Sequence, residues 1–319
     1  PAFGSLVPRD VASRAAKERC DKGFGVNNTG LAVFLDFSEA INRLGKDVVA
    51  QRYGNLFDMY EEITDVSPYE NPMMIYPAIH YTMGGIWVDY ELMTSIKGLF
   101  AIGECNFSDH GANRLGASAL MQGLADGYFV LPYTIQNYLA DQITVPRFST
   151  DLPEFAAAEK AVQEKIDWMM NIKGKKSVDS IHKELGHIMW EYVGMGRTAE
   201  GLKEGLKKLK EVRKEFEKEL FIPGDKEGMN VELDKAIRLY DFITMGELVA
   251  YDALNRNESC GGHFREEYQT EEGEAKRDDE NYFYVACWEY QGSDEKEPVL
   301  LKEPLVYEAI KVQTRNYKS

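Results

Sequence analysis

Apolar residues recur at helical spacing in the middle of this chain and predict a bundle of long helices. A repeat of this kind gives each helix one apolar face and one charged face, and such helices bury their apolar faces against one another. The positions that carry the repeat are Leu202, Leu206, Leu209, Phe216, Leu220, Leu233, Ile237, Tyr240, Leu248, Tyr251 and Leu254. Residues 153–174 and 177–194 predict two further helices, so we expect an antiparallel helical bundle over residues 146–262.

The rest of the chain mixes short strands with helices, which makes the expected fold class α+β. The predicted elements, in chain order, are a helix over 9–23 that ends at Gly23, a strand over 31–37, helices over 38–54 and 55–65, short strands over 84–89 and 98–104, a helix from Ser118 and aromatic strands over 281–290. The glycine-rich residues 23–30 follow a helix and precede a strand. A dinucleotide-binding loop has the reverse order, so we interpret them as a helix-to-strand turn.

Charge and cysteine content exclude several classes of function. The chain has a formal net charge of -16 at pH 7, whereas nucleic-acid binding needs a basic surface. Twelve acidic and three basic residues lie in 266–297, which we interpret either as a solvated surface or as a docking surface for a basic partner. The four cysteines follow no zinc or iron–sulfur spacing, and no apolar run is long enough to cross a membrane.

Arg114 lies among small residues and has no acidic neighbour within the segment 110–120. The flanking small residues are Gly111, Ala112, Gly116, Ala117 and Ala119. Small residues allow a flat ligand or another backbone to come close. An arginine keeps its charge in a protein and, when buried, needs an anion. The segment therefore favours a ligand that supplies this anion.

Three more positions have groups suited to ligand binding. His80 precedes a Gly-Gly turn, and Glu104 ends a predicted strand, where its carboxylate can meet a sugar-like hydroxyl. A helix that begins near Ser118 presents free backbone N–H groups at its first turn. His80 and Glu104 also have simpler interpretations, since a histidine beside a turn is usually structural and Glu104 can be an exposed strand end.

Taken together, these segments resemble a known family. The segments "HYTMGG" (80–85), "GLFAIGE" (98–104) and "HGANRLG" (110–116), in this order, resemble the flavoprotein subunit of succinate dehydrogenase and fumarate reductase. "VPRDVASRA" resembles the family's Arg-Asp segment in the capping domain, and "AKRDDENY" resembles its C-terminal Arg-Asp-Asp-Glu-Asn segment. The resemblance covers most of the chain, but the residues from about 285 onward have no clear counterpart in the family.

The resemblance implies roles for the substrate-binding residues. His80 and Arg114 match the pair that binds one substrate carboxylate, and Arg9 matches the proton donor. It implies that reduced flavin gives hydride from N5 to one alkene carbon of fumarate while Arg9 protonates the other carbon, with succinate oxidation as the reverse. The alternative for Arg9 is a helix-start arginine in a surface salt bridge.

The resemblance also implies FAD as the cofactor. Glu104 matches the acid that binds the flavin ribityl chain, and the backbone at Ser118, Ala119 and Leu120 matches the segment under the flavin N1 and O2 edge. Arg114 is expected to contact the cofactor as well. The positive end of the helix would stabilise negative charge on the reduced ring.

The family's nucleotide-binding half has no counterpart here, so the chain resembles the C-terminal half of a longer subunit and is expected to be inactive alone. The implied domains are part of the capping domain (1–77), the C-terminal part of the FAD-binding domain (78–145), the helical bundle (146–262) and a C-terminal domain (263–319). The implied partners are an iron–sulfur protein subunit and, indirectly, a membrane-anchor cytochrome b subunit. That implies a peripheral location on the cytoplasmic face of the bacterial inner membrane.

Two alternatives and two departures accompany the resemblance. An L-aspartate oxidase-like flavoenzyme shares the histidine loop and a similar arginine segment, and a non-catalytic docking module for an iron–sulfur partner would use the acidic surface alone.

The family often has glycine and asparagine where this chain has Ala117 and Ser118. Cys260 replaces the family's arginine before Gly-x-His, although His263 is present.

Overall fold

The computed structural model describes residues 9–107, 110–114, 116–292 and 296–313. Its contacts divide the chain into two compact units. The first unit takes in the described residues up to Tyr81 together with Val312 and Gln313, and the second unit is Thr82–Lys311. The prediction of a chain that mixes helices with small sheets is confirmed.

The described part of the first unit contains three α-helices and a two-stranded antiparallel sheet. Its elements are α1 (Arg9–Arg19), a π-helical segment (Cys20–Phe24), β1 (Val33–Leu35), α2 (Ser38–Leu44), α3 (Lys46–Thr64) and β2 (Met73–Ile75). β1 pairs with β2, with Val33 opposite Ile75. Val49 and Phe57 from α3 are buried with Met73 and form the core. The first helix ends near Gly23, whose φ of 79° is left-handed, so the predicted stop is confirmed.

The predicted boundary between the next two helices is wrong. We expected the break at residues 54 and 55, but α3 runs through Gly54 without interruption. The break lies at Gly45, where φ is 88°, a conformation that residues with a Cβ rarely adopt. The sequence contains a glycine at both positions, and only the backbone shows which of them ends a helix.

The second unit begins with a glycine-rich segment held by isolated bridges. Ile86 bridges Asn106 in parallel and Met93 bridges Phe100 antiparallel, so the strands predicted over 84–89 and 98–104 are wrong. Glu104 lies instead in a 3-10 turn (Gly103–Cys105). Close approach explains the departure, since a Cβ on Gly85 would lie 2.5 Å from the Cys105 carbonyl oxygen.

The helix predicted from Ser118 is confirmed. It is α4 (Ser118–Ala125), which continues through a π-helical segment (Asp126–Val130) into α5 (Leu131–Leu139). Pro132 lies in the first turn of α5, where the missing N–H of proline costs no helical hydrogen bond.

The helical bundle contains the largest core. It comprises α6 (Pro153–Asn171), β3 (Lys176–Ser177), α7 (Val178–Tyr192), α8 (Ala199–Glu219), β4 (Leu220–Phe221) and α9 (Val231–Asn255). Helices α7, α8 and α9 pack against one another, and α6 packs against α9. The fully buried side chains include Met169, Ile181, Leu202, Leu209, Phe216, Leu239 and Ile243. Side chains cap three of the helices, since Ser177, Thr198 and Asn230 each accept a hydrogen bond from a first-turn backbone N–H.

A short helix and a hairpin follow the bundle. They are α10 (Asp279–Tyr282), β5 (Tyr284–Glu289) and β6 (Val299–Pro304), and the two strands pair antiparallel. The aromatic strand expected over 281–290 is therefore shorter than predicted. Among the described helices, none combines the length and apolar character needed to cross a membrane. The described side chains also form no cluster of three metal-binding groups.

Candidate functional site

The start of α4 is the centre of the candidate site in the second unit. Ala117, at the N-cap position, has a left-handed φ of 64°, and no side chain caps the helix there. The Ala117 side chain has no polar atom and does not cap the first-turn backbone N–H groups of Ser118, Ala119 and Leu120. Leu120 is 75% exposed and Met121 is 70% exposed, which gives the helix start an uncovered apolar surface.

The turn that carries Glu104 packs against α4. A Cβ on Gly123 of α4 would lie 3.8 Å from the Cα of Gly103, an ordinary van der Waals distance, so the turn and the helix lie side by side. Gly103 has a left-handed φ of 71°, and Glu104 is exposed. Glu104 and the start of α4 are therefore on one part of the second unit.

A buried carboxylate fixes this turn, and the sequence did not reveal it. Asp126 is 7% exposed, and its Oδ2 accepts hydrogen bonds from the Gly103 backbone N–H (3.2 Å), Asn106 Nδ2 (3.4 Å) and Gln122 Nε2 (3.0 Å). Gln122 Nε2 also lies 3.3 Å from Asn106 Oδ1. The network joins the Glu104 turn to the end of α4. In the sequence, this network could have been inferred from the spacing of four residues between Gln122 and Asp126 in an apolar helix, which places both side chains on one face.

Arg114 lies in a loop of residues 110–114, which we call the 110–114 loop. The small neighbours of Arg114 suggested a buried arginine, but Arg114 is only half-buried. His110 begins the loop, and its Nδ1 lies 3.5 Å from the Ser118 hydroxyl. Arg114, Glu104 and the start of α4 therefore all lie in the second unit.

The 110–114 loop contacts a turn from the far end of the chain. We call residues 260–263 the 260–263 turn. The Gly262 backbone N–H donates to the Ala112 carbonyl oxygen over 2.8 Å. A Cβ on Gly261 would lie 2.1 Å from that same oxygen, closer than any real contact. Cys260, the departure from the family pattern, lies at the start of this turn, where burial raises the pKa of its thiol and Glu258 adds to the effect.

His263 anchors the 260–263 turn between two arginines. Its Nε2 lies 2.9 Å from the Arg256 carbonyl oxygen, so Nε2 carries the proton and donates. Its Nδ1 then accepts from Arg197 Nη1 over 2.7 Å. Burial, and next the positive charge of Arg197, lower the pKa of His263 to about 4. Burial also lowers the pKa of Arg197.

The other two expected site residues lie in the first unit. Arg9 is the first residue of α1 and is exposed. His80 lies outside any helix or strand and is also exposed. The roles that the resemblance gives them remain predictions.

The residues around α4 fit a flavin. The helix start has backbone N–H groups that its N-cap side chain does not bond, an exposed apolar surface and an exposed carboxylate on the neighbouring turn. A flavin needs hydrogen-bond donors at its N1 and O2 edge, an apolar contact for its ring and an acceptor for its ribityl hydroxyls.

Comparison with known proteins identifies a family of related flavoproteins. Residues 3–120 match the family model of an FAD binding domain, and residues 182–317 match that of the fumarate reductase flavoprotein C-terminal region. The succinate dehydrogenase flavoprotein subunit of Bacillus subtilis is 34% identical over 84% of this chain and 44% of its own length. The fumarate reductase flavoprotein subunit of a Serratia species is 32% identical over 88% of this chain and 45% of its own length.

Solved structures show the same likeness. A quinol-fumarate reductase with menaquinol molecules superposes with a TM-score of 0.80 at 28% identity, over 96% of this chain and 50% of that chain. This chain therefore spans about half the length of the relatives it matches, and FAD is the cofactor that the matches indicate. The chain belongs to the family of flavoprotein subunits of succinate dehydrogenase and fumarate reductase.

Proposed function

We propose that this chain forms part of a flavoprotein subunit that interconverts fumarate and succinate. The observation that carries the proposal is the arrangement around α4, where Glu104, the 110–114 loop and an uncapped helix start belong to one unit. The division into domains over 1–77, 78–145, 146–262 and 263–319 belongs to the same proposal. Bound FAD supplies hydride exchange between its N5 atom and a substrate carbon.

The proposed substrate residues bind and polarise a dicarboxylate. Arg114 donates charge-assisted hydrogen bonds to a substrate carboxylate, each worth about 1.5–3 kcal/mol. His80 acts on the same carboxylate. Small neighbours around Arg114 leave room for a flat substrate beside the loop.

Glu104 and α4 hold the cofactor in this proposal. The Glu104 carboxylate accepts hydrogen bonds from ribityl hydroxyls. The backbone of Ser118, Ala119 and Leu120 donates to the N1 and O2 edge, where negative charge grows on reduction, and the positive end of the helix stabilises that charge.

Arg9 supplies the proton in this proposal. The ordinary pKa of arginine is far above that of an efficient acid at neutral pH. Arg9 can therefore act only in contact with a carbon that develops carbanion character and with rapid return of its proton. Exclusion of water around the substrate favours such a transfer.

Reoxidation of the reduced subunit by fumarate tests the proposal. The FAD-loaded full-length subunit is reduced without oxygen, and flavin absorbance is followed after fumarate is added to wild type and to Arg9→Lys. We expect fast reoxidation in wild type and almost none in the variant. If fumarate is inert while iminoaspartate reoxidises the flavin, the subunit is an aspartate oxidase instead. Equal rates in both proteins would remove Arg9 as the donor.

The second half of the proposal concerns partners and location. We propose that the subunit docks an iron–sulfur protein, which a membrane-anchor cytochrome b subunit holds at the cytoplasmic face of the inner membrane. The acidic stretch 266–280 is the candidate docking surface, since Glu266, Glu267, Glu271 and Glu272 are on or near the surface. Reversing these charges should weaken binding of the iron–sulfur subunit, measured by titration. Unchanged affinity would place the docking surface elsewhere.

The chain alone is proposed to be inactive. The matched relatives are about twice as long, and the resemblance places their nucleotide-binding segment outside this chain. We expect no stoichiometric FAD binding by the 319-residue chain in equilibrium dialysis. Tight one-to-one binding would contradict that part of the proposal.

A further inference from the structure

The 260–263 turn is a closed and rigid support. The Cys260 backbone N–H donates to the His263 carbonyl oxygen over 2.8 Å, and the His263 N–H donates back to the Cys260 oxygen over 3.1 Å. Gly261 has a left-handed φ of 59°, which a residue with a Cβ adopts only with strain. The turn therefore has a defined shape that depends on glycine.

This turn meets the 110–114 loop through backbone atoms. The Gly262 N–H donates to Ala112, two residues before Arg114, and the Gly261 Cα faces the same carbonyl. Backbone contacts of this kind fix a loop more tightly than flexible side chains do, because few torsions can relax. Movement of the turn must therefore move Ala112.

The bundle fixes the turn from the other side. Arg197 lies between α7 and α8, and its side chain donates to the Val193 carbonyl oxygen (2.9 Å) as well as to His263. Its backbone N–H donates to the Phe264 carbonyl oxygen (3.0 Å), directly after the turn. A continuous path of hydrogen bonds thus joins the largest core to the 110–114 loop.

We propose that the 260–263 turn positions the loop that carries Arg114, and that His263 and Arg197 are positioning residues which hold the turn. The inference rests on the proposed function, in which Arg114 binds a substrate carboxylate. In the proposed function, neither His263 nor Arg197 contacts substrate or cofactor. Their effect is to fix where the guanidinium group of Arg114 lies.

Gly261→Ala tests the inference with Gly273→Ala as its matched control. Both glycines have left-handed backbones, with φ of 59° and 80°, so alanine strains both. At Gly273 the added Cβ meets only the Gln269 side chain at 3.8 Å, whereas at Gly261 it collides with Ala112. The pair separates local strain from displacement of the 110–114 loop.

Two readouts are taken on the FAD-loaded full-length subunit. Fumarate affinity is measured by calorimetry and normalised to bound flavin, and exchange of the Gly262 amide is measured by hydrogen–deuterium exchange. We expect Gly261→Ala to weaken fumarate binding by about tenfold, because the binding group of Arg114 is then misplaced. The Gly262 amide should exchange faster, while Gly273→Ala leaves both readouts at wild-type values.

A second pair of variants keeps the inference testable if Gly261→Ala does not fold. His263→Asn retains an acceptor near the position of Nδ1 for Arg197, whereas His263→Leu removes both hydrogen bonds. We expect the leucine variant to weaken fumarate binding and the asparagine variant to retain most of it. Equal fumarate affinity in all these variants and wild type would overturn the inference.

Arg114→Gln, measured in the same fumarate-binding assay, tests the proposed function separately from the positioning role. If Arg114→Gln weakens fumarate binding but Gly261→Ala and His263→Leu do not, the proposed function stands and the positioning role is wrong. If Arg114→Gln binds fumarate as wild type does, the proposed function itself fails.

Discussion

The helical bundle and the segment around α4 are held together in different ways. The bundle buries one continuous apolar core, and three of its helices have side-chain caps. The described part of the α4 segment has a small buried cluster of Val88, Leu92 and Ala101 in its preceding loops, and its turns are held by contacts at glycines and by single hydrogen bonds. A core tolerates many sequences with the same pattern, whereas a glycine contact tolerates one residue. Stability is therefore concentrated in the bundle, and the geometry of the proposed site depends on a few specific groups.

The largest expected effect is the loss of a bundle core residue. Phe216 is fully buried, so Phe216→Ala removes a ring and leaves a cavity, at a cost of about 3–5 kcal/mol in unfolding free energy. Phe221, 46% exposed on β4, is the matched control, and Phe221→Ala should cost far less. Urea unfolding followed by circular dichroism measures both. Equal losses would show that the bundle core does not carry the stability.

Acidification should weaken the link between the bundle and the 260–263 turn. The folded pKa of His263 is about 4, below its ordinary value of 6.5, because burial and the nearby Arg197, Arg256 and Arg265 disfavour its charged form. Protonation thus favours the unfolded state, and stability present above pH 6.5 is lost as the pH falls to about 4. The loss is on the order of 3 kcal/mol.

Unfolding free energies of wild type and His263→Asn at pH 7.5 and pH 4 isolate this contribution. The variant cannot titrate at this position, so we expect it to lose less stability on acidification than wild type. Identical acid losses in wild type and His263→Asn would contradict the assignment.

Removal of the Asp126 carboxylate should disturb the site more than the bundle. Asp126→Ala removes the acceptor of the Gly103 N–H, and a buried unpaired group costs about 1–3 kcal/mol. Asn106 Nδ2 and Gln122 Nε2 also lose a bond to Oδ2 but keep the Ala101 carbonyl oxygen and Asn106 Oδ1 as acceptors. Asp126→Asn is the matched control, because an amide oxygen placed at Oδ2 can accept all three bonds. We expect FAD content to fall in Asp126→Ala and to be retained in Asp126→Asn. Full FAD content in both variants would show that cofactor binding does not depend on this hydrogen-bond network.

The smallest expected effect is a gain in stability. Ala117 has a left-handed φ of 64°, which costs roughly 1–2 kcal/mol for a residue with a Cβ. Ala117→Gly relieves this strain, and we expect a gain of about 1 kcal/mol, measured as a higher midpoint of thermal unfolding. Ala199→Gly, at the first turn of α8, should instead destabilise. A destabilised Ala117→Gly protein would mean that α4 does not begin as described.

The same contrast explains what the sequence could predict. Apolar spacing in α8 and α9 identified the bundle because burial repeats with the helix, and Leu202, Leu209 and Phe216 are all fully buried. The helix start near Ser118 was also predicted, and α4 begins at that residue. Local patterns were sufficient in both cases.

The rest of the site depends on contacts between distant parts of the chain. His263 and Arg197 are 66 residues apart, and Asp126 reaches Gly103 across 23 residues. No periodic pattern links such pairs, so sequence patterns assigned them no role. The strands predicted over 84–89 and 98–104 failed for a related reason, since Gly85 serves close approach to Cys105 rather than strand pairing.

The most direct test of the proposed function is the affinity of Arg114→Gln for fumarate. Calorimetric titration of the FAD-loaded full-length subunit, normalised to bound flavin, compares the variant with wild type. Loss of a charge-assisted hydrogen bond of about 1.5–3 kcal/mol corresponds to a dissociation constant that is roughly 10- to 100-fold higher. That result would support Arg114 as the carboxylate-binding residue of the site. A dissociation constant within about twofold of the wild-type value would contradict this role, because no charge-assisted contact of this size would then be lost.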